Sequence, residues 1–579
     1  AGPTIVNNGT LQIGNGGSSG TLGLGPVTNN GTLSFNRNDG VTVPNDLHGA
    51  GSFVVNSGSV TPTSAGSDYT GNVAVNGGIL FVSNTNALGT TAGGTTVGGG
   101  GQVYITANVN FGTETMALNG AGDGNGALRK GGSGATTYSG AVTLVSDSTI
   151  GVDGGATLTL SNQISGTAAL TKIGNGTLVL SSSNSYSGIT TVNGGVLTLN
   201  NTNALGTSTQ VNVSSTTAGA LGGTRITLGA GVAISSAVSL SLPCVGTTAR
   251  SVLYAAGASS WNGPITLNGD GTASPGDQIA FAGADGLLTI GGTITGNNFP
   301  GTLQLRGNGN SGAGGLINGS FALADNATVQ VNDATTWTIA STGNTWGISE
   351  IASGTLRVGA NNALPASTIV KLGAAGNGTL DLNGFNQQVA ALAVVANTAI
   401  ITNSSAASDA TLTFATNGGA SYYSGSIGSG ARKLNLALAA GTLTLSNAAS
   451  LNISNSTVSV ASGAVLDLEF TGTNTVAGFV TNGISAGPGL YNAATSSPYL
   501  AGTGYLLVPS SGPSGPEYLT NSYSGSVLSL SWPAGEGWRL QMQTNSLSKG
   551  LSTNWAYITD ATISSTNITV DATKQAVFY

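Results

Sequence analysis

Charge is scarce in this sequence. Asp, Glu, Lys and Arg make up 6% of its 579 residues, against about a quarter in an ordinary soluble domain, so uncharged polar groups must wet the surface. The 14 basic and 21 acidic residues leave a net charge of -7, and no basic stripe is present to neutralise phosphates, which excludes nucleic acid as a partner. Cysteine occurs once, at Cys244, which rules out an intrachain disulfide and reads as a buried, inert thiol. The one histidine, His48, sits in a loop-like stretch with no recognisable partner and reads as a surface residue. No apolar run reaches eighteen residues, and the longest, 389–401, is broken by Asn397 and Thr398, so no membrane-spanning helix is expected. The chain starts at Ala1 rather than Met, as after removal of a signal peptide.

Glycine, by contrast, supplies 94 residues. They follow no Gly-X-Y period, which excludes collagen, and a 39% hydrophobic content argues against disorder. Their spacing belongs to a repeat. Asn-Asn-Gly-Thr-Leu occurs at 7–11 and at 29–33, and Gly-Thr-Leu recurs at 176–178, 301–303, 354–356, 378–380 and 441–443. Residues 69–90 and 186–207 are identical at 14 of 22 positions. A shorter echo, Asn-Ala-Leu, appears at 86–88, 203–205 and 362–364. Periods of 20–50 residues mark solenoids and arrays.

Leucines alternate with outward-facing positions in Gly176-Thr177-Leu178-Val179-Leu180 and Gly195-Val196-Leu197-Thr198-Leu199, the period-2 pattern of strands. Helical periodicity and cap signals are almost absent, and glycine at this density makes helices costly. Short strands in units of about 22–24 residues predict an all-β chain, a long β-helix of roughly 22 coils over residues 1–508. Its aliphatics should stack as interior columns, with Ser, Thr and Asn outside, because identical charges stacked coil on coil would repel. Residues 1–455 are assigned to the repeats and 456–508 to terminal coils. The Pro/Gly/Ser run at 509–517 reads as a linker. Residues 518–579, with eight of the 32 aromatics, are expected to form a small β-sandwich-like domain.

Residues 170–180, followed by Asn184-Ser185-Tyr186-Ser187-Gly188 and Thr191-Val192-Asn193-Gly194-Gly195-Val196-Leu197, resemble the autotransporter-associated β-strand repeat. Degenerate copies lie at 69–80, 128–140 and 423–445. The tail, from Trp538 to Trp555, resembles a module of large secreted verrucomicrobial and planctomycetal proteins. The resemblance implies a right-handed β-helix, secretion and a place at the cell surface, with no catalytic motif. Autotransporters end in a membrane barrel, and eight tilted strands of about ten residues need more than the tail supplies.

Candidate chemistry is thin. The nearest carboxylate pair, Asp467 and Glu469, alternates with Leu466, Leu468 and Phe470 on one strand and should face solvent. Asp270, Asp277 and Asp285, like Asp325 and Asp333, are spaced off the coil period. The stretch Gly122-Asp123-Gly124-Asn125-Gly126 is one calcium-loop-like copy without its repeated context. Trp261, Trp337 and Trp346 either pack in the core or form a sugar-stacking platform. No catalytic residue, metal site or cofactor is assigned.

The expected function is therefore that of a non-enzymatic, extracellular structural protein. The repeat signature starts by residue 7, and an uncapped coil would template a neighbour. Head-to-tail assembly of a filament follows, with Ile5, Val6, Leu11 and Ile13 meeting a C-terminal surface of Trp532, Trp538, Trp555, Tyr557, Phe578 and Tyr579. The alternative is a monomeric surface adhesin or glycan-binding passenger. A polysaccharide lyase or hydrolase is the third reading.

Overall fold

A computed structural model of the chain describes residues 2–214, 223–243, 250–269, 278–307, 312–394, 398–430, 432–448, 450–510, 519–533, 538–543, 553, 555–560 and 562–570. Among them the secondary structure is β throughout, with no helix. The chain is a β-solenoid. Two compact units share it: 1–415 with 424–426 and 430–432, and 416–423 with 427–429 and 433–579.

In the first unit, strands of successive coils pair in parallel to build the coil faces. One face is a 16-stranded sheet running from Thr10–Ile13 to Phe321–Ala322. A second starts at Gly134–Tyr138 and a third at Ala233–Ile234. The repeated words of the sequence turn out to be the register. Thr10 and Leu11 pair with Thr32 and Leu33, so the two Asn-Asn-Gly-Thr-Leu copies lie directly on one another. Gly354, Thr355 and Leu356 likewise pair with Gly378, Thr379 and Leu380.

Register turns like residues into columns. Leu197, Ile226, Leu253, Phe281, Leu305, Val331, Ile351 and Leu372 follow one another through seven successive pairings, and every one is fully buried. Alternate residues face outward because side chains of a strand alternate faces. Along this column the step runs from 20 residues (Val331 to Ile351) to 29 (Leu197 to Ile226), wider than the 22–24 read from the sequence. The extra residues fall between strands and leave strand register untouched. The longest steps enclose 215–222, 244–249 and 270–277, outside the described residues, as is Cys244.

Near the N-terminus two faces merge into single bent strands such as Ser52–Pro62, Val73–Val82 and Gly94–Ile105. The bend sits at stacked glycines. Gly78 has a φ of +69°, and a Cβ there would lie 2.1 Å from the carbonyl oxygen of Gly58, so only glycine fits. In the matching copy the same path is two strands, Thr190–Asn193 and Val196–Leu199.

In the second unit, Leu434–Leu445, Thr457–Val460, Ala464–Leu468, Gly478–Thr481 and Leu500–Gly502 continue the parallel style. Antiparallel pairing then intervenes: Gly478–Thr481 with Ile484–Ala486, and Gly489–Tyr491 with Tyr505–Val508. A hairpin followed by Pro488 blunts a sheet edge that would otherwise invite further pairing. Within the tail, Thr520–Ser524, Val527–Ser531 and Ser565–Thr569 form one antiparallel sheet, and Gln541–Met542 with Ala556–Tyr557 a second. Most of the 509–517 linker lies outside the described residues.

Phe281→Ala, at the centre of the aliphatic column, should destabilise the chain by about 3–5 kcal/mol through the cavity it leaves. Ile5→Ala, at a side chain more than half exposed, should change stability by about 0.5 kcal/mol or less. Urea midpoints of the two variants, compared with the parent chain, check the contrast.

Candidate functional site

The strongest repeat, around Lys172 and Tyr186, shows how polar groups are used inside the stack. Lys172 is fully buried. Its Nζ donates to the carbonyls of Gly174 at 2.6 Å, Gly194 at 2.9 Å and Ile173 at 3.2 Å. Burial pushes its pKa down to about 8. Asn184 ties three coils: its Oδ1 accepts from the Ile164 amide at 2.7 Å, and its Nδ2 donates to the Ala204 carbonyl. The Tyr186 ring is buried, with its hydroxyl 2.7 Å from Thr190 Oγ1.

The same device recurs at 341–346, a copy that sequence reading missed. Asn344 Oδ1 accepts from the Phe321 amide and its Nδ2 donates to the Ala363 carbonyl. Trp346 takes the place of Tyr186, donating Nε1–H to Ser349 Oγ at 2.8 Å. The shared signal is Ser-x-x-Asn-x-aromatic, legible once tryptophan is allowed for tyrosine. In both copies the acceptor is the alanine carbonyl of an Asn-Ala-Leu motif. Tyr69 Oη donates to the third such carbonyl, at Ala87. Trp261 and Trp337, like Trp346, are fully buried, so of the two readings open for them the structure takes core packing over the sugar platform.

The sparse charges bridge coils. Arg129 pairs with Asp153 at 2.9 Å, Arg306 with Asp333 at 3.1 Å and Arg357 with Asp381 at 2.8 Å. Hydroxyl and bonds from Ser404 help hold the Asp381 carboxyl below the usual range against its burial. Ser34, Asn56 and Asn76 form a side-chain ladder, as do Ser241, Asn268 and Asn297. His48, expected to lack a partner, lies 2.5 Å from Asp68. Asp123 accepts from Gln102 Nε2, the Asn125 amide and Asn125 Nδ2, so protein donors already occupy the calcium-like loop. Asp285 accepts from Tyr254 Oη and Asp467 from Thr444 Oγ1. Glu469 is exposed. Asp270 and Asp277 lie outside the described residues.

Of the assembly residues expected from sequence, Val6 and Ile13 are buried, Leu11 is half-buried and Ile5 points out. Trp532 and Trp555 are half-buried, while Phe578 and Tyr579 lie outside the described residues. Trp538 and Tyr557 come together in the second unit. They line a cavity of about 600 Å³ with Arg539, Gln541, Pro488 and Leu507. The Arg539 guanidinium stands 5.5 Å from the Tyr557 ring centre. Trp538 Nε1 is buried without a hydrogen-bond partner among the described residues. A second cavity, of about 420 Å³, lies in the first unit beside Glu114.

Lys172, Asn184 and Tyr186 all fall within one repeat of the β-solenoid. Residues 170–199 match the Passenger-associated-transport-repeat family. The chain is also 32% identical over 392 residues, 61% of its length, to the Adhesin BmaC autotransporter of Brucella suis biovar 1 (strain 1330). It spans 11% of that protein's length. No solved structure matches.

The buried lysine makes stability depend on pH. Its pKa is near 8 when folded and near its ordinary 10.5 when unfolded, so between these values the unfolded chain holds more protons and stability rises with pH. Burial holds the Tyr186 phenol well above its ordinary range, so ionisation of unfolded tyrosines reverses the trend above pH about 10. Denaturation between pH about 8 and 9.5 should show a gain of about 1 kcal/mol per pH unit. Lys172→Met should lose most of that slope.

Proposed function

We propose that this chain is part of an exported passenger that acts at the cell surface as an adhesin: a non-enzymatic stalk whose contact with its target is a glycan seated in the Trp538 cavity. The similarity to an adhesin over 392 residues carries this reading, and the transport repeat at 170–199 supports export. The fold adds a reason for the stalk role. Asp153, Asp333 and Asp381 form ion pairs that tie one coil to another.

The similarity supports the adhesin more than the head-to-tail filament. Filament assembly would use Val6 and Ile13, which are spent on the interior, and an open C-terminal edge, where the sheet turns antiparallel. Aromatic rings with a guanidinium and an amide are what a sugar with a carboxylate needs: apolar ring faces beside planar donors. Arg539, Gln541, Trp538 and Tyr557 supply that set.

The purified chain should bind immobilised acidic glycans and glycan-bearing cells. Trp538→Ala and Arg539→Gln should each weaken glycan binding about tenfold or more, with the circular-dichroism spectrum unchanged. Cell binding that survives both substitutions would move the contact elsewhere on the chain, and a parent chain that binds neither cells nor glycans would overturn the adhesin reading.

A further inference from the structure

The first unit carries a cavity that the adhesin reading leaves unused. It opens among the turns that follow the early bent strands. Ser67, Asp68, Asn86, Thr90 and Thr91 line it, with Phe111 beside them and Glu114 in its wall. At about 420 Å³ it is within the range of small-molecule sites, about 300–1,000 Å³.

Glu114 is the anomaly. Three carboxylates of the described chain are buried: Glu114, Asp333 and Asp381, at 6%, 8% and 2% exposure. Asp333 meets both Nε and Nη2 of Arg306 at 3.1 Å. Asp381 meets Arg357 Nε, Ser404 Oγ and two backbone amides. Among the described residues the Glu114 carboxyl meets only Thr95, whose Oγ1–H donates to Oε1 at 2.5 Å, and no cation pairs with it. Buried carboxylates are ordinarily paired because desolvation of an unpaired charge is costly. Accordingly, burial pushes the Glu114 carboxyl up to about 7. No lysine or arginine lines the cavity, whose second acid, Asp68, is exposed and held by His48.

We propose that the Glu114 cavity is a binding site for a protonated primary amine carried on a small hydroxylated ring, an amino sugar, whose ammonium supplies the counter-charge that the chain gives its other buried carboxylates. The hydroxyl and amide groups of Ser67, Asn86, Thr90 and Thr91 meet the ring hydroxyls, and Phe111 offers the apolar face. An N-acetylated sugar lacks the charge and a neutral hexose lacks the nitrogen, so the site discriminates on the amine. This inference is independent of the Trp538 cavity.

Titration calorimetry of the full chain with D-glucosamine, N-acetyl-D-glucosamine and D-glucose at pH 6 tests it. Glucosamine should bind at least about tenfold more tightly than either neutral sugar, the scale of one charge-assisted hydrogen bond. Glu114→Gln keeps the acceptor for Thr95 and should lose that preference. The groups facing the site are Asp68 with His48, and the phenols of Tyr69 and Tyr138, which burial holds well above their ordinary range. Ionising Glu114 for an ammonium must expel its proton. Glucosamine binding at pH 6 should therefore release close to one proton, read from the heats in two buffers of different ionisation enthalpy, and His48→Gln should leave that release intact. The proton count needs no variant of Glu114 and stands even if Glu114→Gln fails to fold. Equal binding of all three sugars, no binding of glucosamine, binding without proton release, or a response to calcium alone would overturn the proposal.

Discussion

Parallel, in-register pairing between one coil and the next is the constraint on which everything else in this protein depends. Once Leu197 sits over Ile226 and Ile226 over Leu253, the remaining choices narrow. Interior positions must be apolar and of matched size. Corner positions must tolerate close backbone approach, as Gly78 does over Gly58. Outer positions must accept a similar neighbour a few ångströms away. Uncharged Asn, Ser and Thr satisfy the last condition because one amide donates to the next, as in the Ser34–Asn56–Asn76 ladder. A column of like charges would not.

Charge is therefore admitted where opposite signs meet across a coil boundary, or where backbone carbonyls surround it. Arg129 with Asp153 and Arg357 with Asp381 are the first kind; Lys172 among the Gly174 and Gly194 carbonyls is the second. Against that background a buried carboxyl with a lone hydroxyl partner stands out, and the same logic that explains the bridges singles out Glu114. The aromatic residues divide similarly. Trp346, Tyr186 and Phe281 within the coils are buried, while Trp538 and Tyr557 in the tail line open space.

Much of the fold was legible because register copies itself into sequence. The Asn-Asn-Gly-Thr-Leu words at 7–11 and 29–33 became facing strands, and alternation around Leu178 and Leu197 gave the buried faces. Coil length was less legible. Loops between strands lengthen without disturbing the ladder, so a single period describes the early coils better than those between Leu197 and Leu305. The sites were hardly legible. The role proposed for Glu114 depends on Thr95, nineteen residues away in sequence, and on the lack of a cation beside it among the described residues, and no local motif encodes either. The Trp538 and Tyr557 pairing was visible only as aromatic enrichment of the tail. Trp337 was legible in part, since it alternates with Thr336 and Thr338 and shares the buried side of its strand with Ile339.

Because residues added between strands do not propagate into the columns, each turn of the stack can be elaborated separately. The step from Val331 to Ile351 takes 20 residues and that from Leu197 to Ile226 takes 29, yet all four side chains belong to the same buried line. Such a molecule can acquire new surface decorations one rung at a time while its interior stays fixed. It is a ready chassis for varying exposed sequence, whether by natural drift or by grafting foreign peptides into its bends.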